Sequence, residues 1–460
     1  MTSQRGAAGA VLAAMLVLAA CTASKASPSV TNPADGPTST ISTVSTPDTA
    51  PAERIYEQVA DSIVSIETDI AGGSGILIDD GLVLTAAHVV WPYRTVRVVF
   101  PSGAEIVNAP VVGSDPFGDL ALVDVAAADR LPKPAEIGDG ESIPLGRSVY
   151  LIGYPGESEA FPQPTITQGI LSRAREWAAG EWTFLQTDTT VTGGQSGGAL
   201  VDEDGAVVGI TNFSFLEEFG LSGSLTDAAA TIERMKAGED VGGLGDRLPP
   251  TGRGSDVHRF SFDHVWQDHV FVFDAPLYSN VSFTVNSDED LQLTLATIDG
   301  FEISIVDDTL DGQESIEELV TYLGPHILRV DNYTGSASGR LRSSEDLVEW
   351  PDPDDGRRLV RDTTISGNVD YPGDFDWYLV DLGKGQAVTI DVDSIAFDPV
   401  LMIDGPEGLG RLRALDDDSG GGLFGTNPRI VFTAREAGSF FVIVADSGST
   451  GPGAYWLTVD

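Results

Sequence analysis

The sequence predicts an all-β protein: a β-barrel or a pair of barrels, followed by β-sandwich modules. Three observations predict it. Short apolar runs separated by Gly, Pro or Asp turns fill residues 52–237. Only one stretch there, "SLTDAAATIERMKAG", has the pattern of a good helix, and it comes last. Beyond residue 254 the chain alternates apolar and polar residues in two related copies, as strands with one buried face do.

The chain opens with "MTSQR", then the apolar "GAAGAVLAAMLVLAA", then Cys21. The apolar run has the length of a signal-peptide core and is too short for a typical membrane span. "LAAC", Leu18 to Cys21, resembles the lipobox of bacterial lipoproteins, and Cys21 is the single cysteine of the chain. The resemblance implies a signal peptide over 1–21, lipidation of Cys21 and a membrane anchor facing outside the cytoplasm, at the cell surface or in the periplasm. Residues 22–51 are rich in Ser, Thr, Pro and Ala and lack aromatics, so they are expected to be a disordered tether.

Order is expected from residue 52. "AERIYEQVADSIVSIET" reads as a short amphipathic helix leading into a strand. Strand-like runs follow: "GSGILID", "GLVLTAA", "TVRVVF", "LALVDV", "SVYLIGY", "PTITQGILSRA", "TFLQTD" and "GAVVGITNF". Residues 238–254, rich in Gly, Pro and charge, read as a linker. The two C-terminal copies occupy about 255–345 and 360–460; both carry an acidic turn, an aromatic strand and an Asp-Gly turn.

The net charge is −44 in 460 residues, and both halves are acidic. Such a field keeps a protein soluble and repels nucleic acid, for which no basic patch is visible. The expected partners are polypeptides and, through the anchor, a membrane; oligomeric state is not legible.

The chemistry concentrates in three places. His88, the only histidine before residue 258, follows an apolar strand in "LVLTAAHVV". Asp119 heads the strand "LALVDV". Ser196 lies in "TVTGGQSGGALVD", where positions 193–198 hold four glycines, a glutamine and the serine. A serine hydroxyl is a weak nucleophile until a base takes its proton, and an imidazole held by a buried carboxylate is the usual base. Backbone N–H groups of Gly194 and Ser196 are candidate donors to an oxyanion, each worth about 3–4 kcal/mol in the transition state. Glycine adopts the required turn at little cost.

"TAAH", "DLALV" and "GGQSGGAL…GAVVGI" resemble the signatures of trypsin-like serine proteases of the HtrA/Deg type over residues 52–237. The resemblance implies a chymotrypsin-like pair of six-stranded antiparallel barrels, with His88 as general base, Asp119 as its orienter, Ser196 as nucleophile, and Gly194 and Ser196 as the oxyanion hole. It places Thr190 at the floor of the substrate pocket and Thr211 and Asn212 on its wall, with "SFLEEFGLSGSL" as the closing loop and small or medium aliphatic residues as the preferred side chains. Gln195 stands where the family usually has asparagine, and no stretch has the pattern of a PDZ domain. The C-terminal copy, with "GDFDWYLVDLGKGQ" and "DPVLMIDGPEG", resembles the bacterial pre-peptidase C-terminal domain, a jelly-roll β-sandwich.

No cofactor is expected. Asp374, Asp376, Asp398 and Asp416–Asp418 are either calcium ligands or solvated turn acids. His258, His264, His269 and His326 show no metal-ligand pattern and are expected at surface or strand positions. The expected function is a serine endopeptidase acting on extracytoplasmic proteins, in quality control or processing. The alternative keeps the fold without the chemistry: a surface binding protein working through its sandwiches.

Overall fold

The structure, a computed structural model, describes residues 50–460 apart from 70, 157–162, 213–218, 243, 244, 246, 308–311, 372, 407–411 and 448–452. Cys21, the signal segment and nearly all of the tether lie outside the described residues. Helix α1 spans Pro51–Val59. Pro51, expected in the tether, opens it, since proline suits a first helical turn where its missing N–H has no partner to lose. Ile55 and Val59, four apart, bury one face.

Period-2 apolar patterning then builds two closed barrels. The first contains β1 (Ile63–Glu67), β2 (Gly72–Asp79), β3 (Leu82–Thr85), β4 (Thr95–Val99), β5 (Glu105–Asp115) and β6 (Leu120–Asp124), in the order β1-β2-β3-β6-β5-β4. Helix α2 (Ala87–Val90) follows β3. The second barrel contains β7 (Ser148–Gly153), β8 (Thr165–Trp177), β9 (Trp182–Thr187), β10 (Ala199–Val201), β11 (Val207–Thr211) and β12 (Gly220–Ser224), in the order β10-β11-β12-β9-β8-β7. All neighbours in both barrels are antiparallel, so the chymotrypsin-like double barrel is the architecture found. Helix α3 (Leu225–Lys236) closes the domain and buries Leu225, Ala228, Ile232 and Met235 along one face. Among the described residues no helix is long and apolar enough to cross a membrane.

The barrels meet at Ser74, on β2. Its N–H donates to Ser196 O at 2.7 Å and its hydroxyl to Gly194 O at 2.8 Å. The same hydroxyl accepts from Tyr154 N at 2.8 Å, and Ser74 O accepts from the Thr85 hydroxyl at 2.7 Å. Ser74 is fully buried, so each of these groups depends on the others for its hydrogen bond.

The first C-terminal unit is one eight-stranded sheet, not two separate sheets. Strand 337–349 is long enough to pair with 255–262 and 280–287 along one part and with 268–273 at its other end. Phe262, Phe271, Phe283, Leu295 and Leu328 fill the core so enclosed. The second unit faces a five-stranded sheet with a four-stranded one. Strands 375–382 and 387–394 alternate strictly between buried and partly exposed residues, and the buried set includes Tyr378, Val380, Ile390 and Val392. The connector 238–254 is tied down: Arg247 is buried, its guanidinium lies 2.5 Å from Asp354, and its carbonyl accepts the Trp350 indole N–H at 3.0 Å.

Replacing Ser74 by alanine is expected to leave Gly194 O and Tyr154 N without their partner and to cost about 1–3 kcal/mol. Urea unfolding checks this: the midpoint should fall with the slope unchanged, and an unaltered midpoint would show that the seam does not depend on this hydroxyl.

Candidate active site

Strand β3 ends at Thr85 and the chain turns through small, buried Ala86 and Ala87 into α2, which leaves His88 on the open side of the seam. Asp119 precedes β6 with φ of 51°, a left-handed conformation that aspartate tolerates better than most residues. It is 3% exposed, whereas the His88 side chain is 37% exposed. His88 N donates to Asp119 Oδ1 at 3.0 Å, and His88 Nδ1 lies 3.0 and 2.9 Å from the two carboxylate oxygens. Burial opposes protonation of this imidazole, but the Asp119 charge and hydrogen bond outweigh it and hold its pKa above the ordinary value.

Asn212 completes the arrangement from the other barrel. Its Nδ2 donates to Asp119 O and Oδ2, both at 3.1 Å, and its Oδ1 accepts from Gly223 N at 2.8 Å. This corrects the expected pocket wall. Asn212 is 1% exposed and faces Asp119, and Thr211 is fully buried, so neither side chain lines an open pocket. The signal was present in "GITNF": a polar amide ending an apolar strand needs a buried partner.

Ser196 is half-buried in the turn between β9 and β10. The turn leans on the barrel that carries His88. A Cβ on Gly73 would meet the Val89 methyls at 2.5 Å and Ser196 O at 3.1 Å; one on Gly197, whose φ is +80°, would meet Ser74 O at 2.1 Å and Ala86 N at 3.1 Å. Gly194 has φ of +91°, and a Cβ there would strike Gly156 N at 2.6 Å. Gln195 N donates to Thr192 O, Gly197 N to Thr211 O and Gly198 N to Gln195 O. The N–H groups of Gly194 and Ser196 donate to no described residue. The Gln195 side chain braces the turn: its Oε1 accepts from Thr192 N at 2.8 Å and its Nε2 donates to the Thr165 hydroxyl at 3.3 Å.

Thr190 is exposed beside this turn. Buried Thr189 pairs with the Thr187 hydroxyl at 2.6 Å, and a Cβ on Gly220 would meet Thr189 Oγ1 and the Val191 methyl, each at 2.9 Å. The nearest acid in sequence, Asp188, accepts from Ile170 N at 2.7 Å. Of the expected closing loop, Phe213, Phe215 and Leu216 lie outside the described residues. Leu221 is in the barrel core and lines no open pocket, while half-buried Phe219 lies under the Arg175 guanidinium at 5.4 Å.

The acids and histidines beyond residue 254 separate into groups. Asp374 and Asp376 lie in a buried carboxylate cluster. Asp398 is bonded to Ser447, and Asp416 holds a turn through Ser419 N and Arg429 N. His258, His269 and His326 lie on strands, with His326 buried at 1% exposure, and His264 lies on a bend. None of these histidines belongs to a metal-type group among the described residues.

Residues 73–210 match the trypsin-like peptidase domain family. The chain is 35% identical over 153 residues to the serine protease Do-like HtrA of Lactobacillus helveticus, covering 32% of this chain and 36% of that one. It is 36% identical over 160 residues to a probable periplasmic serine endoprotease, DegP-like, of Brucella suis, covering 34% of this chain and 30% of the relative. The chain thus spans about a third of the length of these curated relatives. A solved serine endoprotease from Yersinia pestis aligns with a TM-score of 0.34 at 30% identity, over 40% of this chain and 65% of that one. In sequence, residues 73–210 are thus similar to trypsin-like peptidase domains, and over this region the chain resembles HtrA-type serine proteases.

Proposed function

We propose that the protein is a serine endopeptidase that cleaves extracytoplasmic polypeptides through His88, Asp119 and Ser196. The observation that carries this reading is the buried Asp119 carboxylate bonded to His88 Nδ1, together with a serine turn in which the N–H groups of Gly194 and Ser196 donate to no described residue. Asp119 fixes the tautomer with the proton on Nδ1, so Nε2 is the unprotonated nitrogen that accepts. His88 takes the Ser196 hydroxyl proton as Oγ attacks the scissile carbonyl. The N–H groups of Gly194 and Ser196 hold the oxyanion. His88 then gives its proton to the leaving amine, and water repeats the sequence on the acyl-enzyme.

Ser196→Ala is expected to fold normally and to lose nearly all cleavage of denatured casein, because the nucleophile is gone. Cleavage at the wild-type rate would place the chemistry elsewhere.

The pH dependence follows from His88, which must be neutral to accept a proton. Its pKa is raised, so activity should fall as pH drops through a midpoint above about 6.5. Asp119→Asn removes the charge that raises it, so the acid limb should move to lower pH while activity falls about 10⁴-fold. A limb that stays in place in this variant would contradict the assignment.

The substrate pocket carries the specificity. Thr190, six residues before Ser196, is neutral, as are its neighbours Thr189 and Val191 beside Gly220. A buried cation would lack a partner there, so Val, Ala, Ile or Leu is expected before the cleaved bond. A peptide-library profile decides this, and a dominant preference for Arg or Lys would refute it.

The leader and "LAAC" support an extracytoplasmic site and a lipid anchor at Cys21. The C-terminal unit keeps its proposed kinship with pre-peptidase C-terminal domains.

A further inference from the structure

The two C-terminal units meet over an acidic centre that the protease reading does not use. Asp352, Asp354 and Asp355 come from the connector between them; Asp370, Asp374 and Asp376 come from the turn and strand that follow. One oxygen from each of Asp352, Asp355 and Asp376 lies within 4.8 Å of the others. Asp376 is fully buried and Asp370 is 1% exposed.

The carboxylates are held by one oxygen and present the other. Asp352 Oδ1 accepts from Asp354 N at 2.7 Å, Asp355 Oδ1 from Trp377 N at 3.1 Å, and Asp376 Oδ2 from the Tyr455 hydroxyl. Asp352 Oδ2, Asp376 Oδ1 and Asp370 Oδ2 are buried without a hydrogen-bond partner. The local cations are engaged elsewhere: Arg247 and Arg357 each lie 2.5 Å from an oxygen of Asp354, and Arg247 is 3.6 Å from Asp370. Among the described residues, no basic nitrogen lies within 4 Å of Asp352, Asp355, Asp374 or Asp376. Burial first, then mutual repulsion led by Asp352, pushes Asp355, Asp370, Asp374 and Asp376 well above the carboxylate range. Unpaired oxygens held at this spacing, around a fully buried Asp376, are a ligand set lacking its cation.

We propose that Asp352, Asp355 and Asp376 bind one calcium-class divalent cation, which locks the connector against strand 375–382 and steadies the protease barrel beside His88. The donors are all oxygens, which suits a hard cation and not zinc. Two oxygens on opposite sides of one ion stand up to about 4.6–5.2 Å apart for calcium and about 4.0–4.2 Å for magnesium. The group falls within the calcium reach. The link to the barrel runs through Asp370, which belongs to the same buried acidic cluster but not to the three ligands: its carbonyl accepts the Trp91 indole N–H at 3.2 Å, and Trp91 is the residue that ends α2, three after His88. This second part rests on the protease reading of His88.

The test uses the full chain carrying Ser196→Ala, stripped with EDTA, and calcium chloride as the probe. Calorimetry should show one site, and the thermal midpoint should rise by roughly 5 °C at saturating calcium. Asp352→Asn and Asp355→Asn, both at partly exposed positions, should each weaken binding about tenfold or more; Asp417→Asn, at an exposed turn, should not. No heat and no thermal shift up to about 10 mM calcium, or full binding in both ligand variants, overturns the site. In the wild-type chain, calcium should speed fluorophosphonate labelling of Ser196 several-fold over EDTA, and equal rates overturn the link to the barrel. A chain that binds calcium but never takes the label keeps the site and removes the protease reading instead.

Discussion

The arrangement turns on one buried carboxylate. Asp119 is almost wholly removed from water and accepts from His88 N, His88 Nδ1 and Asn212 Nδ2. A charge in that position is tolerable only because donors from three directions replace its water. Two of them come from the residue it orients and the third from the opposite barrel. The carboxylate therefore positions an imidazole and also fixes how the barrels dock. Ser74 does the corresponding work on the Ser196 side, joining β2 to the carbonyls of Gly194 and Ser196.

The glycines of the serine turn fall into place around these two anchors. Gly194 and Gly197 take left-handed backbone conformations that a side chain would strain. Gly197 also lies so close to Ser74 O and Thr85 Oγ1 that any Cβ would separate the barrels. A small residue at 197 is thus demanded by inter-barrel approach as much as by the turn itself, whereas at 194 it is demanded by the close approach of Tyr154 O and Gly156 N.

The C-terminal units reach the same region. The Phe117 ring, two residues before Asp119, lies 4.6 Å from the Trp456 ring, and Trp177 donates its indole N–H to Asp393 at 2.7 Å. Trp91, three residues after His88, bonds to Asp370. The loops bearing His88 and Asp119 are therefore each braced by the second sandwich. An acidic centre that includes Asp370, the residue Trp91 contacts, gives that unit a means of changing its rigidity with the cation supply.

Much of this was legible in the sequence. Period-2 runs placed most barrel strands and the β-rich character of both C-terminal units, though the first proves to be one eight-stranded sheet; the spacing in "SLTDAAATIERMKAG" marked α3, and His88, Asp119 and the glycine turn stood out by chemistry. Strand β5 escaped notice because it is mostly exposed and interrupted by Asn108 and Pro110; β12, "GLSGS", is fully buried yet made of small residues that read as loop. Asn212 was placed on the wrong surface because a strand's end can face either barrel, and only the docking of the two decides which. Ser74 gave no signal, being one small polar residue among glycines. The aspartates of the acidic centre come from two separated segments, and local pattern cannot say which carboxylates meet. Periodicity and residue chemistry are local properties and determined the elements and the reactive groups. Partner choice across the seam is a property of packing, and the tertiary structure alone decided it.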